Sequence, residues 1–264
     1  MGQEFADLNN YGWYGPAMNT HRSAFAGRNF EYYSEDGVLA GHFAAAMINA
    51  AAAKGVYGYI KHFALNDQET NRCSFLLTYS NEQAMREIYL KPFEIAVKNF
   101  QYQTLAVMSS FNWIGTVPAG MNYDLLTTVL RNEWGFRGMV ETDYDGSYGY
   151  QITDHCVRAG NDLMLGFNAP GASTPADFFV TSSANSNELT DIGSATLVKA
   201  LRQSCKNILY TTGNSGFYTN GNPDEAGMDN MTKMFIGIDV GAAVVLIAIE
   251  AIVLVRWIKK RKAA

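Results

Sequence analysis

The chain of 264 residues is predicted to be an α/β protein of the parallel (β/α) barrel type that ends in one transmembrane helix. Short β-rich runs alternate with helix-like stretches from residue 11 to about 210, as in parallel sheets with helical crossovers. Polar clusters follow the β-rich runs, where a barrel gathers its active site. Near the C-terminus a long apolar run precedes a basic cluster.

Residues 11–19, "YGWYGPAMN", read as a strand entering a loop. Residues 36–55 are Ala-rich and stop at Gly55, so they read as a helix. Residues 56–66, "VYGYIKHFALN", form a strand with polar groups at its end. The 80–100 stretch has a Ser/Asn cap and helical periodicity, interrupted near Pro92. Strand 105–112 and helix 122–135, stopped by Gly135, follow. "GMVETDYDG" (138–146) and residues 159–165 read as strands, and 194–212 as a closing helix. The polar clusters are Asn19-Thr20-His21-Arg22, Lys61-His62, Ser109-Ser110-Phe111-Asn112 and Asp143. Singly each is unremarkable; a Lys-His dipeptide is usually incidental and an Asp after a strand is often a helix cap. Together they mark one end of the sheet without naming a reaction.

Charge divides the chain. Residues 234–264 hold two of its 25 acidic and five of its 20 basic residues, which leaves the body at a net −8. An acidic body without a basic patch argues against nucleic acid as a partner. Cys73, Cys156 and Cys205 show no C-x-x-C pairing and read as ordinary semi-buried thiols. No metal cluster and no phosphate-cradling Gly loop is present, so no cofactor is expected.

The run from Met234 to Val255 would span roughly 33 Å as a helix, close to a bilayer core of about 30 Å. "RWIKKRK" follows, and the positive-inside rule places it in the cytoplasm, with the body outside. Asp239 and Glu250 lie three turns apart on one face; they either mark a helix–helix contact or snorkel toward the interfaces. The expected organisation is a barrel domain over 1–212, a Gly/Asn-rich flexible linker over 213–233, a transmembrane helix over 234–256 and a cytoplasmic tail over 257–264. The start "MGQEFADLNN" has no signal-peptide pattern.

"GPAMNTHRSAFAGRNFEYYSED", "KHFALNDQETNR", "REIYLKPFEIAVK", "VMSSFN" and "LLTTVLRNEWGFRGMVETDYDG" resemble the catalytic barrel of family 3 glycoside hydrolases, the β-glucosidase group. The resemblance covers about residues 1–212, with the motifs in the family's order. It implies that Asp143 is the catalytic nucleophile, and that Arg28, Lys61 and His62 bind sugar hydroxyls. Tyr144 follows the nucleophile where a sugar ring can stack, and Phe111 stands where many members have Tyr. Glu69 and Arg72 would brace the Lys-His strand. A retaining glycosidase needs an ionised carboxylate to attack the anomeric carbon, and flanking cations are expected to keep the pKa of Asp143 low.

The same resemblance implies absences. The family begins further upstream, so the barrel is expected to be partial, lacking its first strands, with Met1 at an interior position. The family's general acid/base is usually a Glu on a second domain. "KHFALND" departs from the His-containing loop with which one branch replaces that Glu. Asp145, beside Gly146, reads as a turn residue and not as the missing acid. The function expected is the barrel portion of a membrane-anchored retaining β-glycosidase acting on β-linked oligosaccharides or glucosides, with its acid/base on a missing domain. The alternatives are an inactive sugar-binding fragment and a half-enzyme completed in trans.

Overall fold

The computed structural model describes residues 1–73, 76–99, 101–144, 151–165 and 193–219. Its strands are β1 (Gly12–Trp13), β2 (Tyr57–Phe63), β3 (Leu77–Thr78), β4 (Ala106–Ser109), β5 (Trp113–Ile114), β6 (Val117–Pro118) and β7 (Met139–Glu141). The main sheet is parallel in the order β1-β2-β4-β7. Its register pairs Tyr59 with Ala106 and Val107 with Val140. A parallel bridge between Glu141 and Leu163 extends the ladder where a strand over 159–165 was expected. Among the described residues β1 pairs with β2 alone.

Alternation along the strands explains their apolar character, since both faces are covered. Ile60, Val107 and Val140 point to the helices and pack with Ile48, Phe93, Leu126 and Leu130. Tyr59, Ala106, Met108 and Met139 form a second cluster on the inner face, joined by Tyr57 and Leu163.

The first crossover helix runs Gly37–Ala52; Asp36 caps it, accepting from Val38 N at 2.8 Å and Leu39 N at 3.2 Å. The interruption expected near Pro92 is real. A short helix, Glu82–Ala84, passes into a π-helix, Met85–Tyr89, before helix Lys91–Val97 resumes. Residues Asp124–Glu133, expected as an ordinary helix, wind as a π-helix that ends beside Gly135 at φ 77°. The helix Thr153–Ala159 was not foreseen, nor was the small β3-β5-β6 sheet. Gly138 sits where the chain approaches β4 so closely that a Cβ would lie 2.0 Å from the Leu105 carbonyl oxygen.

The closing helix, Ala195–Gly213, locks onto the base of β7 and β4. Thr211 Oγ1 donates to Leu105 O at 2.7 Å and accepts from Met139 N at 2.9 Å. The first residues of the stretch expected as a linker pack against the body. Residues Gly216–Thr219 form a helical turn, Gly216 N donates to Gly55 O at 2.7 Å, and the Phe217 ring meets Tyr11 edge-on at 6.2 Å. Cys156 is buried, Cys73 half-buried and Cys205 exposed, so the last departs from the expected burial. Among the described residues no helix is long and apolar enough to cross a membrane. The expected span over 234–256 lies outside the described residues, as do most of the expected linker, the tail and Asp145.

Candidate active site

The C-terminal ends of β2, β4 and β7 bring most of the expected site residues together. Asp143 follows β7, and its N–H donates to Ser109 O at 3.1 Å, which carries the ladder two residues beyond the strand. The Tyr144 N–H donates to Asp143 Oδ1 at 2.8 Å. The other oxygen, Oδ2, is buried without a hydrogen bond among the described residues and lies 3.7 Å from His62 Nε2. His62 is held through its backbone: its N–H donates to Asn19 Oδ1 at 2.8 Å, and Asn19 Nδ2 donates to its carbonyl at 2.9 Å. The polar cluster after β1 thus fixes the Lys61-His62 pair at the C-terminal end of β2.

Three cations surround the carboxylate, and two glutamates tie them together. Arg28 Nε donates to Glu31, whose other oxygen lies 3.9 Å from Lys61 Nζ. Glu69 Oε2 pairs with Arg72 Nη2 at 3.0 Å, and Glu69 Oε1 lies 3.9 Å from Arg28 Nη1. Arg72 also donates to Asn66 Oδ1 at 3.0 Å, and its guanidinium stacks 4.4 Å from the Phe111 ring centroid. Phe111 is only 3% exposed and forms a floor for Arg72. Tyr144 is half-buried and reaches Asp143 through its backbone.

Burial changes the expected electrostatics. The Asp143 carboxyl is raised above its ordinary range by desolvation, and the Tyr144 N–H with Arg72, Arg28 and Lys61 pulls it back only in part. The expectation of a low value is thus corrected: a carboxylate almost removed from water loses more solvation than three partly screened cations restore. Burial, with Arg28, Lys61 and Arg72 nearby, drives His62 well below 6.5, so His62 is neutral and its contact with Asp143 is not an ion pair. Lys61 is lowered by burial, opposed by Glu31. Asp67 is raised to about 6 by burial, although Thr20 and Arg22 favour its charge.

Two participants were underread from the sequence. Arg72, expected only as a brace, bears on Asp143 by its charge. Glu141 was read merely as part of a strand, yet alternation puts it on the same face as Asp143. Among the described residues no three His, Cys, Asp or Glu side chains group as a metal site requires.

The family model described as "Glycosyl hydrolase family 3 N terminal domain" matches residues 1–166. The chain belongs to glycosyl hydrolase family 3. Beta-glucosidase A of Butyrivibrio fibrisolvens is 44% identical over 165 residues, which are 62% of this chain and 19% of that protein. A probable beta-glucosidase I of Aspergillus terreus is 37% identical over 182 residues, 69% of this chain and 21% of the other. Among solved structures, beta-glucosidase 3B from Thermotoga neapolitana in complex with glucose superposes with a TM-score of 0.71 at 36% identity, covering 88% of this chain and 31% of that one. This family 3 chain therefore spans about a fifth of the length of the curated relatives it matches. The curated relatives it matches are beta-glucosidases, and its α/β fold is similar to that of their N-terminal barrel domain.

Proposed function

We propose that the chain is the barrel portion of a membrane-anchored retaining β-glycosidase for β-glucosides, with Asp143 as its nucleophile. The observation that carries this is the convergence of Asp143 with Arg28, Lys61 and His62 at the ends of neighbouring parallel strands in a family 3 chain. Arg28 and Lys61 supply charged donors for sugar hydroxyls, and neutral His62 can donate or accept at Nε2. The ionised carboxylate of Asp143 attacks the anomeric carbon. The bond to the aglycone oxygen breaks, a glycosyl ester forms, and the departing oxygen takes a proton; water then cleaves the ester. Glu31 and Glu69 are each tied to an arginine, so neither is poised as that proton's donor. The donor is assigned to a group outside the described residues, on another domain or chain. The anchor is assigned to 234–256 on its apolar length and basic flank, with the barrel outside and the tail cytoplasmic.

A second reading, sugar binding without turnover, is favoured by the buried position of Asp143 Oδ2. An activated aryl β-glucoside separates the two, because its leaving group needs little protonation. A burst of aryl alcohol equal to the protein concentration, absent in Asp143→Ala, supports the nucleophile. Glucoside binding without a burst at high protein concentration supports the second reading.

A further inference from the structure

Glu141 is the one buried carboxyl on the inner face of the described sheet that the proposed chemistry does not use. It stands on β7 two residues before Asp143, about 6.6 Å along an extended chain. Met139, Glu141 and Asp143 follow one another on the same face, so the Glu141 side chain lies one layer beneath the nucleophile. It is 6% exposed. The Tyr14 hydroxyl donates to Oε1 at 3.2 Å, and Oε2 is buried without a hydrogen bond among the described residues. The neighbouring strand β4 presents Met108 opposite it, and Leu163 bridges its other side; neither titrates. From β2 come Tyr57 and Tyr59, and Tyr14 packs edge-on against Tyr59 at 5.0 Å. No described cation pairs with Glu141, whereas Arg28, Lys61, Arg72 and His62 all face Asp143 in the layer above.

We propose that Glu141 and Asp143 form a carboxyl pair that carries one negative charge between them, Glu141 holding the proton while Asp143 is ionised. The asymmetry comes from the partners. Cations favour the charge on Asp143, and an apolar, tyrosine-lined wall disfavours a second charge directly below it. Burial, opposed by the Tyr14 hydroxyl and reinforced by the charge of Asp143, lifts Glu141 to about 7. When Asp143 becomes neutral, the repulsion ends and Glu141 ionises more readily, losing its proton to water. The pair rests on geometry. Its catalytic consequence rests on the nucleophile reading: once Asp143 is esterified by a sugar, Glu141 takes over the negative charge beneath the ring, where a developing oxocarbenium ion needs it. Glu141 is on this account a positioning residue.

The test needs no turnover. The whole chain is labelled with carboxyl-13C glutamate, and the Glu141 resonance is assigned by its loss in Glu141→Gln. It is expected to titrate near neutrality. In Asp143→Asn its midpoint should fall by about one pH unit or more, the scale of two charges some 7 Å apart at an effective dielectric near 20. In Tyr14→Phe, which removes the donor to the ionised form, the midpoint should rise. A Glu141 resonance that titrates near 4.5, or that ignores Asp143→Asn while the other glutamate resonances show an intact fold, overturns the pair. Loss of the aryl burst bears only on the nucleophile reading and leaves these titrations unchanged.

Discussion

His62 Nε2 lies 3.7 Å from Asp143 Oδ2, with the two side chains 2% and 12% exposed. Water is nearly excluded from the contact, so each group's charge is set by its neighbours. Three cations surround the pair, and they stabilise the aspartate while repelling a proton from the imidazole.

A neutral His62 has a consequence for stability. Its folded pKa lies below the 6.5 of an unperturbed histidine, so below that pH the unfolded chain binds a proton that the folded chain does not. Stability from this group is complete above pH 6.5 and is lost as pH falls toward the folded value. Chemical denaturation between pH 7 and 5 should show a loss in the native chain that is smaller in His62→Gln. An imidazole 15N titration of His62 should remain flat through the same range.

Glu141 acts in the opposite sense. Its folded value of about 7 stands above the 4.5 of an ordinary glutamate, so the folded chain holds the proton longer. Its contribution is complete below pH 4.5 and is lost as pH rises through about 7, amounting to as much as roughly 3 kcal/mol. Glu141→Gln, which keeps the shape and removes the titration, should flatten the decline in unfolding free energy between pH 5 and 8. An equal decline in both chains would contradict a raised value for this residue.

Much of this was visible in the residues themselves. Alternation of β-rich and helical stretches located β2, β4 and β7, and the Ser/Asn cap at 80–81 marked a helix start, whereas the Asp36 cap emerged only from the structure. Arg28, Lys61, His62 and Asp143 stand out in the sequence through the motifs of the family resemblance. What stayed hidden depends on contacts between distant segments. The low solvation of Asp143 arises from packing by several strands, so its raised pKa could not be read from the motif "TDYDG". Arg72 meets Phe111 only because β2 and β4 are adjacent. The π-helical winding of Asp124–Glu133 leaves no periodic signature distinct from an α-helix over ten residues. The docking of Phe217 on Tyr11 lies in a Gly/Asn-rich stretch whose composition suggested only a linker.

Arg131 and Asp162 form a buried tie between the Asp124–Glu133 helix and the chain after Gly160. Arg131 Nη2 donates to Asp162 Oδ2 at 2.8 Å and to Gly160 O at 2.9 Å, while Nη1 reaches Gly138 O at 2.9 Å. Asp162 also accepts from Val140 N at 2.8 Å and from Asn207 Nδ2 at 2.9 Å, with its side chain 1% exposed. Removing the arginine alone strands a buried carboxylate, so Arg131→Met should cost about 3–5 kcal/mol in urea unfolding. Adding Asp162→Asn should recover part of that loss, since the amide retains an acceptor for Val140 without the buried charge.

Arg72 offers the sharpest test of how Asp143, the proposed nucleophile, is kept ionised. Its guanidinium is fixed by Glu69, by Asn66 and by the Phe111 ring beneath it, and its charge is the largest cationic influence on Asp143. Arg72→Met keeps much of the aliphatic contact and removes the charge, leaving Asp143 more readily protonated. The burst with an activated aryl β-glucoside should then slow at pH 5 by roughly tenfold more than it slows at pH 7, the ratio for about 1.4 kcal/mol of lost stabilisation of the ionised form. Phe111→Leu, which leaves the guanidinium paired but without its aromatic floor, should shift the same profile less. A uniform loss at both pH values would assign Arg72 to the fold of the Asn66–Glu69 loop and not to the charge of Asp143.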